Sequence, residues 1–231
     1  MDLIVPCAGR SSRYPGKLPK YMWPVGNQRM IEAVIDPFFP DSERVLIAIL
    51  KEHDEKWGVA EILQAAGHEV LIIDEVTDGQ ACTVEAIIDH FDVDGPFFVK
   101  DSDSHFLCNE EWAGFGQNYV SCCNVRDYPH LTDLDAKSYL HINDQGIIVG
   151  VVEKQVVSND FGCGGYAFDD PIEFKDGLSD CGGSQEVYLA HVIECMMQQG
   201  TVFFPMHCKE YRDYGTFDSW EWAVHHTGDM S

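Results

Sequence analysis

Between Arg10 and Arg29 the chain carries five basic residues, Arg10, Arg13, Lys17, Lys20 and Arg29, and no acidic one. Elsewhere the balance is reversed. The 231 residues hold 15 Lys and Arg against 39 Asp and Glu, a formal net charge of −24. A local change of sign in so acidic a chain needs a cause, and binding a phosphate-bearing ligand supplies one. The loop Pro6-Cys7-Ala8-Gly9-Arg10-Ser11-Ser12-Arg13 has suitable chemistry. Gly9 lets the backbone come close to a ligand. The hydroxyls of Ser11 and Ser12 donate to phosphate oxygens. Arg13 offers a planar fork for two of them, and Lys20 is a point charge suited to a departing pyrophosphate. The loop is neither G-x-x-x-x-G-K-[ST] nor G-x-G-x-x-G, so the two common nucleotide fingerprints are not supported. A solvated basic loop is the plainer alternative, with Arg10 either touching phosphate or facing water.

An acidic counterpart lies at Asp101-Ser102-Asp103. Two carboxylates two residues apart at a strand end can share a hard cation, and Mg²⁺ takes one or two carboxylates together with substrate phosphate oxygens. In a chain this rich in acids such a pair carries weight only because of where it falls.

The elements that would position these groups alternate. Leu3–Pro6, Arg44–Leu50, Val70–Ile73 and Pro96–Val99 read as strands. Met30–Ile35, Glu55–Ala66 and Gln80–Phe91 read as helices between them. The run RVLIAIL at 44–50 is nearly continuously apolar, as expected of a strand covered on both faces. The basic loop then follows the first strand and the acidic pair the fourth, both at carboxyl ends, where α/β sheets bind ligands. After about residue 118 the pattern changes. Tyr119–Val125, Ser138–Ile142, Ile147–Val152 and Val202–Phe204 are strand candidates, with a hairpin turn at Asn143–Gly146. Helices are expected over Ser184–Gln199 and Phe217–His225. No Pro/Gly/Ser-rich linker divides the chain, so one domain is expected over 1–231, with 1–117 as a nucleotide-binding core and 118–231 as an acceptor-binding part and closing helix.

Several function classes are disfavoured. An anionic body repels nucleic acid and anionic membrane. No apolar stretch is long enough to span a bilayer, and the start MDLIVPCAGRSSR lacks the charge and apolar run of a secretory signal. The nine cysteines include no C-x-x-C pair, and the ten histidines no H-x-x-x-H pair. Free thiols and a cytoplasmic location are expected, and a homo-oligomer is left open.

Taken together, these segments resemble the sugar-phosphate nucleotidyltransferase family, the nucleotide-sugar pyrophosphorylases. PCAGRSSRYPGKLPK (6–20) is similar to the family's N-terminal A-[AG]-G-x-G-[ST]-R…P-K motif, with Arg13 and Lys20 at its basic positions. DGQACTVEA (78–86) resembles the nucleobase and ribose segment, led by Gln80 and Ala81. Asp103 falls on the metal-binding acid. Glu153-Lys154 resembles the E-K-P that holds the sugar and its phosphate, Gly165-Tyr166 the following G-[IV]-Y, and Glu186–Leu189 the E-x-x-L helix start. Arg212–Thr216 resembles the late D-[IV]-G-T, whose acid, here Asp213, is the second metal ligand. The sequence departs from the pattern at Cys7 for the first alanine, Ser11 for the last glycine and Gln155 for the proline, and Asp101 has no firm counterpart.

The resemblance implies a three-layer α/β fold: a mostly parallel, Rossmann-like central sheet with helices on both faces and a small antiparallel acceptor-binding lobe, of the GT-A-like kind. It implies Mg²⁺-dependent nucleotidyl transfer from a nucleoside triphosphate to a sugar 1-phosphate or similar small phosphomonoester. Arg13, Lys20, Asp103 and Asp213 would be catalytic, with Mg²⁺ on the two aspartates. Ala8, Gly9, Arg10, Ser11, Ser12, Gln80 and Ala81 would bind nucleotide; Glu153, Lys154, Gly165 and Tyr166 would bind the acceptor. No β-helical acyltransferase half is expected, which is compatible with capsule or surface-polysaccharide precursor synthesis. Two other readings stay open: a nucleotide-sugar-dependent glycosyltransferase, and a non-catalytic nucleotide-sugar-binding regulatory protein.

Overall fold

The computed structural model describes residues 1–11, 14, 18–108, 116–182 and 186–226. Ser12, Arg13, Lys17 and the expected helix start at Ser184 lie outside the described residues. The chain begins with β1 (Asp2–Cys7), a small hairpin of β2 (Pro24–Val25) and β3 (Gln28–Arg29), then α1 (Met30–Ile35) and β4 (Arg44–Leu50). It continues with α2 (Lys51–Trp57), α3 (Val59–Ala65), β5 (Glu69–Ile73), α4 (Gln80–His90) and β6 (Phe97–Lys100). β1, β4, β5 and β6 pair in parallel in the order β5-β4-β1-β6. Alternate side chains of these strands enter two separate cores. Leu3, Val5, Val45, Ile47 and Ile49 go to one face, Ile4, Leu46, Ala48 and Phe97 to the other. That is why 44–50 shows no polar alternation.

The second half departs from expectation. It contains β7 (Ser104–Cys108), β8 (Asn118–Asn124), β9 (Ser138–Ile142), β10 (Ile148–Glu153), β11 (Asp160–Phe168), α5 (Pro171–Asp180), α6 (Leu189–Gln198), β12 (Phe203–Asp213) and α7 (Phe217–His225). These strands are not a separate small lobe. They continue the same ten-stranded sheet through β6-β11-β8-β12-β10-β9, with β7 on β12. Most of their pairings are antiparallel, so the sheet is mixed rather than mostly parallel. A bridge between Phe161 of β11 and Tyr139 of β9 closes β11, β8, β12, β10 and β9 into a ring.

Local chemistry explains the other differences. The expected helix 55–66 is broken at Gly58, whose left-handed backbone (φ 61°) ends α2 and starts α3. α5 was not expected, although Asp170 caps it by accepting from the Ile172 N–H at 2.7 Å and Pro171 opens it, a recognisable start signal. α6 begins only at Leu189. β12 runs eleven residues instead of three, because its polar side chains and the bulge between Lys209 and Arg212 hide the strand period.

Two features of this fold position the site. β1 and β6 are parallel neighbours, yet β4 and β5 extend the sheet on the far side of β1. Their carboxyl ends therefore flank the point where strand order reverses, the usual ligand crevice of such sheets. The second feature is a suture between α4 and the segment before α6. The Val187 N–H donates to the Asp78 carbonyl (2.9 Å) and the Ala81 N–H to the Val187 carbonyl (3.3 Å). Gly79, at φ 152°, sits so close beneath that a Cβ would lie 2.3 Å from the Val187 oxygen. Gly79→Ala should therefore cost about 2 kcal/mol or more, from backbone strain and overpacking. Urea unfolding checks this; a midpoint equal to wild type would show that the suture gives way freely.

Candidate functional site

A cleft of ≈ 560 Å³ opens at the strand-reversal point. One wall is the segment after β1, with Ala8, Gly9, Ser11 and then Lys20. Ser11 replaces the family-like glycine and still adopts a left-handed backbone, φ 54°. Its hydroxyl accepts the backbone N–H of Lys20 at 3.1 Å, which joins the two ends of the basic loop.

The floor is the turn between β6 and β7. Lys100, fully buried at the end of β6, donates to the carbonyls of Asp101 (2.8 Å) and Ser104 (2.6 Å) and to the Ser104 hydroxyl (2.8 Å). All three ammonium protons are thus used to fold the acidic turn. Burial pulls its pKa down to about 8, with the charges of Asp101 and other neighbours opposing. Asp101 is pushed up to about 6, first by desolvation and then by Asp103. It accepts a hydrogen bond from the Gln80 side chain and packs under Gly164, where a Cβ would come within 2.7 Å of its Oδ2. Asp103 is ion-paired with the Lys20 ammonium.

The opposite wall comes from the second half. Pairing of β7 with β12 sets Asp213 opposite Ser104, one residue beyond Asp103, and the Tyr214 N–H donates to the Asp103 carbonyl at 2.7 Å. Asp213 accepts from the Gly215 N–H (2.8 Å) and from the Lys137 ammonium (2.9 Å). At the ends of β9 and β10, Ser138 pairs with Glu153 in register and its hydroxyl donates to the Glu153 carboxylate. Lys154 leaves β10 with φ 56° and lays its ammonium 3.9 Å over the Tyr188 ring. An aromatic cluster fastens this wall to the first: Trp23 packs edge-on against Tyr14, Phe217 and Trp220, and the Trp220 indole donates to the Pro24 carbonyl at 2.8 Å.

The cleft thus gathers Ala8, Gly9, Ser11, Lys20, Gln80, Asp103, Glu153, Lys154, Tyr166 and Asp213 from the sequence expectations. It does not gather all of them. Arg10 is exposed and outside the cleft lining. Ala81 is fully buried in a core, because α4 turns it toward the sheet. Gly165 packs on Phe98 and Phe106, its N–H donating to the Ser121 hydroxyl at 2.7 Å, and Gly164 lines the cleft instead. Arg13 and Ser12 lie outside the described residues. Lys100 and Lys137 were not foreseen. A lysine closing the apolar run FFVK was a usable signal for the first; nothing marked the second.

The described lining is not cationic. It holds the carboxylates of Asp101, Asp103, Asp133, Glu153, Glu186 and Asp213 against three lysines, Lys20, Lys137 and Lys154. Asp103, in the turn before β7, and Asp213, at the end of β12, are hard oxygen donors, the donor type that Mg²⁺ takes. No group of three or more potential metal-ligating side chains occurs among the described residues, so oxygens of a phosphate ligand and water would complete any such site. Cys7 also lines the cleft, but burial pushes its thiol up to about 12, so it is protonated and no nucleophile. Among the described residues no helix is long and apolar enough to cross a membrane.

This architecture is the fold of solved nucleotidyltransferases. A nucleoside-diphosphate-sugar pyrophosphorylase of Vibrio cholerae superposes with a TM-score of 0.81 at 19% identity, covering 96% of this chain and 99% of its own. A Bacillus anthracis protein assigned as a glucose-1-phosphate thymidylyltransferase gives 0.80 at 18% identity over 100% of this chain and 96% of its own. The inositol-1-phosphate CTP transferase of T. maritima gives 0.77 at 15% identity, over 100% and 97%. No protein-family model matches the chain, and no curated protein matches it.

The buried Lys100 makes a test of the floor. Lys100→Met strips the donor from three acceptors and should cost about 3 kcal/mol. The Lys100 pKa is depressed in the fold, so the unfolded chain binds more protons from about pH 8 to about pH 10.4, and the wild type gains stability from this group as pH rises. The deficit of Lys100→Met relative to wild type should therefore be larger at about pH 9.5 than at about pH 7. Urea denaturation at the two pH values checks this, and a deficit that shrinks with pH contradicts it.

Proposed function

We propose that the protein is a nucleotidyltransferase that moves a nucleotidyl group from a nucleoside triphosphate to a sugar 1-phosphate or similar small phosphomonoester. An oxygen of the acceptor phosphate attacks the α-phosphorus, a new P–O bond forms, the bond to the β-phosphate oxygen breaks, and pyrophosphate leaves with that electron pair. The nucleophile needs no general base, because a phosphate monoester is largely ionised above its second pKa near ~6. Catalysis then reduces to bringing two anions together and neutralising charge.

The observation that carries this reading is the convergence of Asp103 and Asp213, each held by a lysine, between a backbone loop after β1 and the Glu153-Lys154 pair. Residues 1–117 would serve the nucleotide. Gly9 gives the triphosphate access to the backbone, the Ser11 hydroxyl donates to a phosphate oxygen, and Lys20 with Arg13 stabilises the departing pyrophosphate. Residues 118–231 would serve the acceptor, with Lys154 on its phosphate and Glu153 on a hydroxyl or amine. The excess of carboxylates among the described lining residues supports a divalent cation, which would offset the charge of two phosphate-bearing ligands entering between them. Asp103 and Asp213 would hold Mg²⁺, which when bound supplies positive charge at the transferring phosphate.

A matrix of the common nucleoside triphosphates against a phosphomonoester panel should reveal Mg²⁺-dependent pyrophosphate release for at least one pair. Asp103→Asn and Asp213→Asn should each lower kcat by about 100-fold or more with circular dichroism unchanged. Wild-type rates in both variants, or no release with any pair, refutes the assignment.

A further inference from the structure

Lys137 is the cation in the cleft that neither the sequence nor the proposed roles account for. It precedes β9 and is only 8% exposed, yet it lines the cleft. Its ammonium donates to the Tyr211 hydroxyl (2.8 Å) and to Asp213 (2.9 Å) and lies over the rings of Tyr211 (4.9 Å) and Phe161 (5.4 Å). Its carbonyl accepts the Lys154 N–H at 3.0 Å. Lys137 is therefore continuous with the acceptor wall through its backbone and with the paired aspartates through its side chain.

A buried ion pair is a weak device for stability, since desolvation offsets most of its Coulombic gain. A lysine held beside a carboxylate that a divalent cation would claim is better suited to exchange. Once a second cation shares Asp213, the lysine's attraction to it falls, and the ammonium has two or more protons to offer an anion. A phosphomonoester dianion placed between Lys154 and the aspartates meets Lys137 on the way.

Resting on the nucleotidyl-transfer reading, we infer that Lys137 is a substrate-binding residue, the second cation on the acceptor phosphate, which trades Asp213 for a phosphate oxygen when the cleft is loaded. Lys154 alone leaves a dianion half neutralised, and the pair completes it. The position also gives Lys137 hold of the phosphate that reacts, so it orients the attacking oxygen toward the nucleotide side.

The test is calorimetry on the full chain with Mg²⁺ present, using glucose 1-phosphate and inorganic phosphate as probes, on wild type, Lys137→Met and Lys137→Arg. Both phosphates should bind wild type, bind Lys137→Met at least about tenfold more weakly, and recover most of that loss in Lys137→Arg. Mn²⁺ affinity, read by electron paramagnetic resonance, should not weaken in Lys137→Met, because Asp213 has lost a competitor. In steady state the KM for the phosphomonoester should rise about tenfold while that for the triphosphate stays within about twofold. A purely structural lysine would move both constants together or neither. Should Lys137→Met fail to fold, Lys137→Gln, which keeps a donor for Tyr211, takes its place. Phosphate affinity within about twofold of wild type in a folded variant overturns the inference, as does a wild type that binds neither probe. Phosphate binding that depends on Lys137 in a protein that never releases pyrophosphate would sink the reaction and leave this site standing.

Discussion

Two lysine–aspartate pairs hold the centre of this molecule. Lys20 and Asp103 are 83 residues apart in sequence, Lys137 and Asp213 76 apart. Each pair joins segments far apart in the chain, and Lys137 adds a hydrogen bond to the Tyr211 hydroxyl beside Asp213. Neither pair can form until the sheet has brought β1, β6, β7, β9 and β12 together, and once formed each keeps a carboxylate from facing its neighbours unscreened. The buried Lys100 ammonium serves the same end from below, folding the acidic turn tightly enough that Asp101 and Asp103 point into one space. The remaining architecture, from the Gly79–Val187 suture to the tryptophan cluster around Trp23, sets the distances at which these charges meet.

The sequence made the parallel half readable because its physics is local. A strand covered on both faces is nearly continuously apolar, as VLIAIL and FFV are. The end of FFV, in β6, then fixes where Asp101 and Asp103 emerge. The second half resisted for the opposite reason. β12 mixes one proline with charges and aromatics, changes partner midway and bulges at Lys209–Arg212, so no single period describes it. Lys137 was invisible because its meaning depends on a partner far along the chain. Ser11 stands where the resemblance puts a glycine; it takes up a left-handed backbone, and its hydroxyl accepts the Lys20 N–H.

Charge needs the same distinction between chain and space. Counted along the sequence, the amino end is a basic island. Counted around the described cleft, carboxylates outnumber lysines six to three, because the second half contributes Asp133, Glu153, Glu186 and Asp213. Among the described residues, carboxylates thus dominate the cleft, which on the proposed reading would suit a phosphate that arrives with its own cation. On that reading, such a cleft would favour a metal-bound phosphate over a bare one.

The partner change in β12 also decides how the protein comes apart. From Phe203 to His207 the strand is locked in parallel against β8; from Cys208 onward it pairs antiparallel with β7, across a bulge. The far segment, which ends in Asp213, pairs with β7 across an irregular register, but it also carries Tyr211 into one hydrophobic core, against Phe161 and Tyr128, so fraying there opens that core as it releases a carboxylate of the cleft. Loss of the assembled cleft and loss of core packing around Tyr211 are thus tied together at one end of an eleven-residue strand.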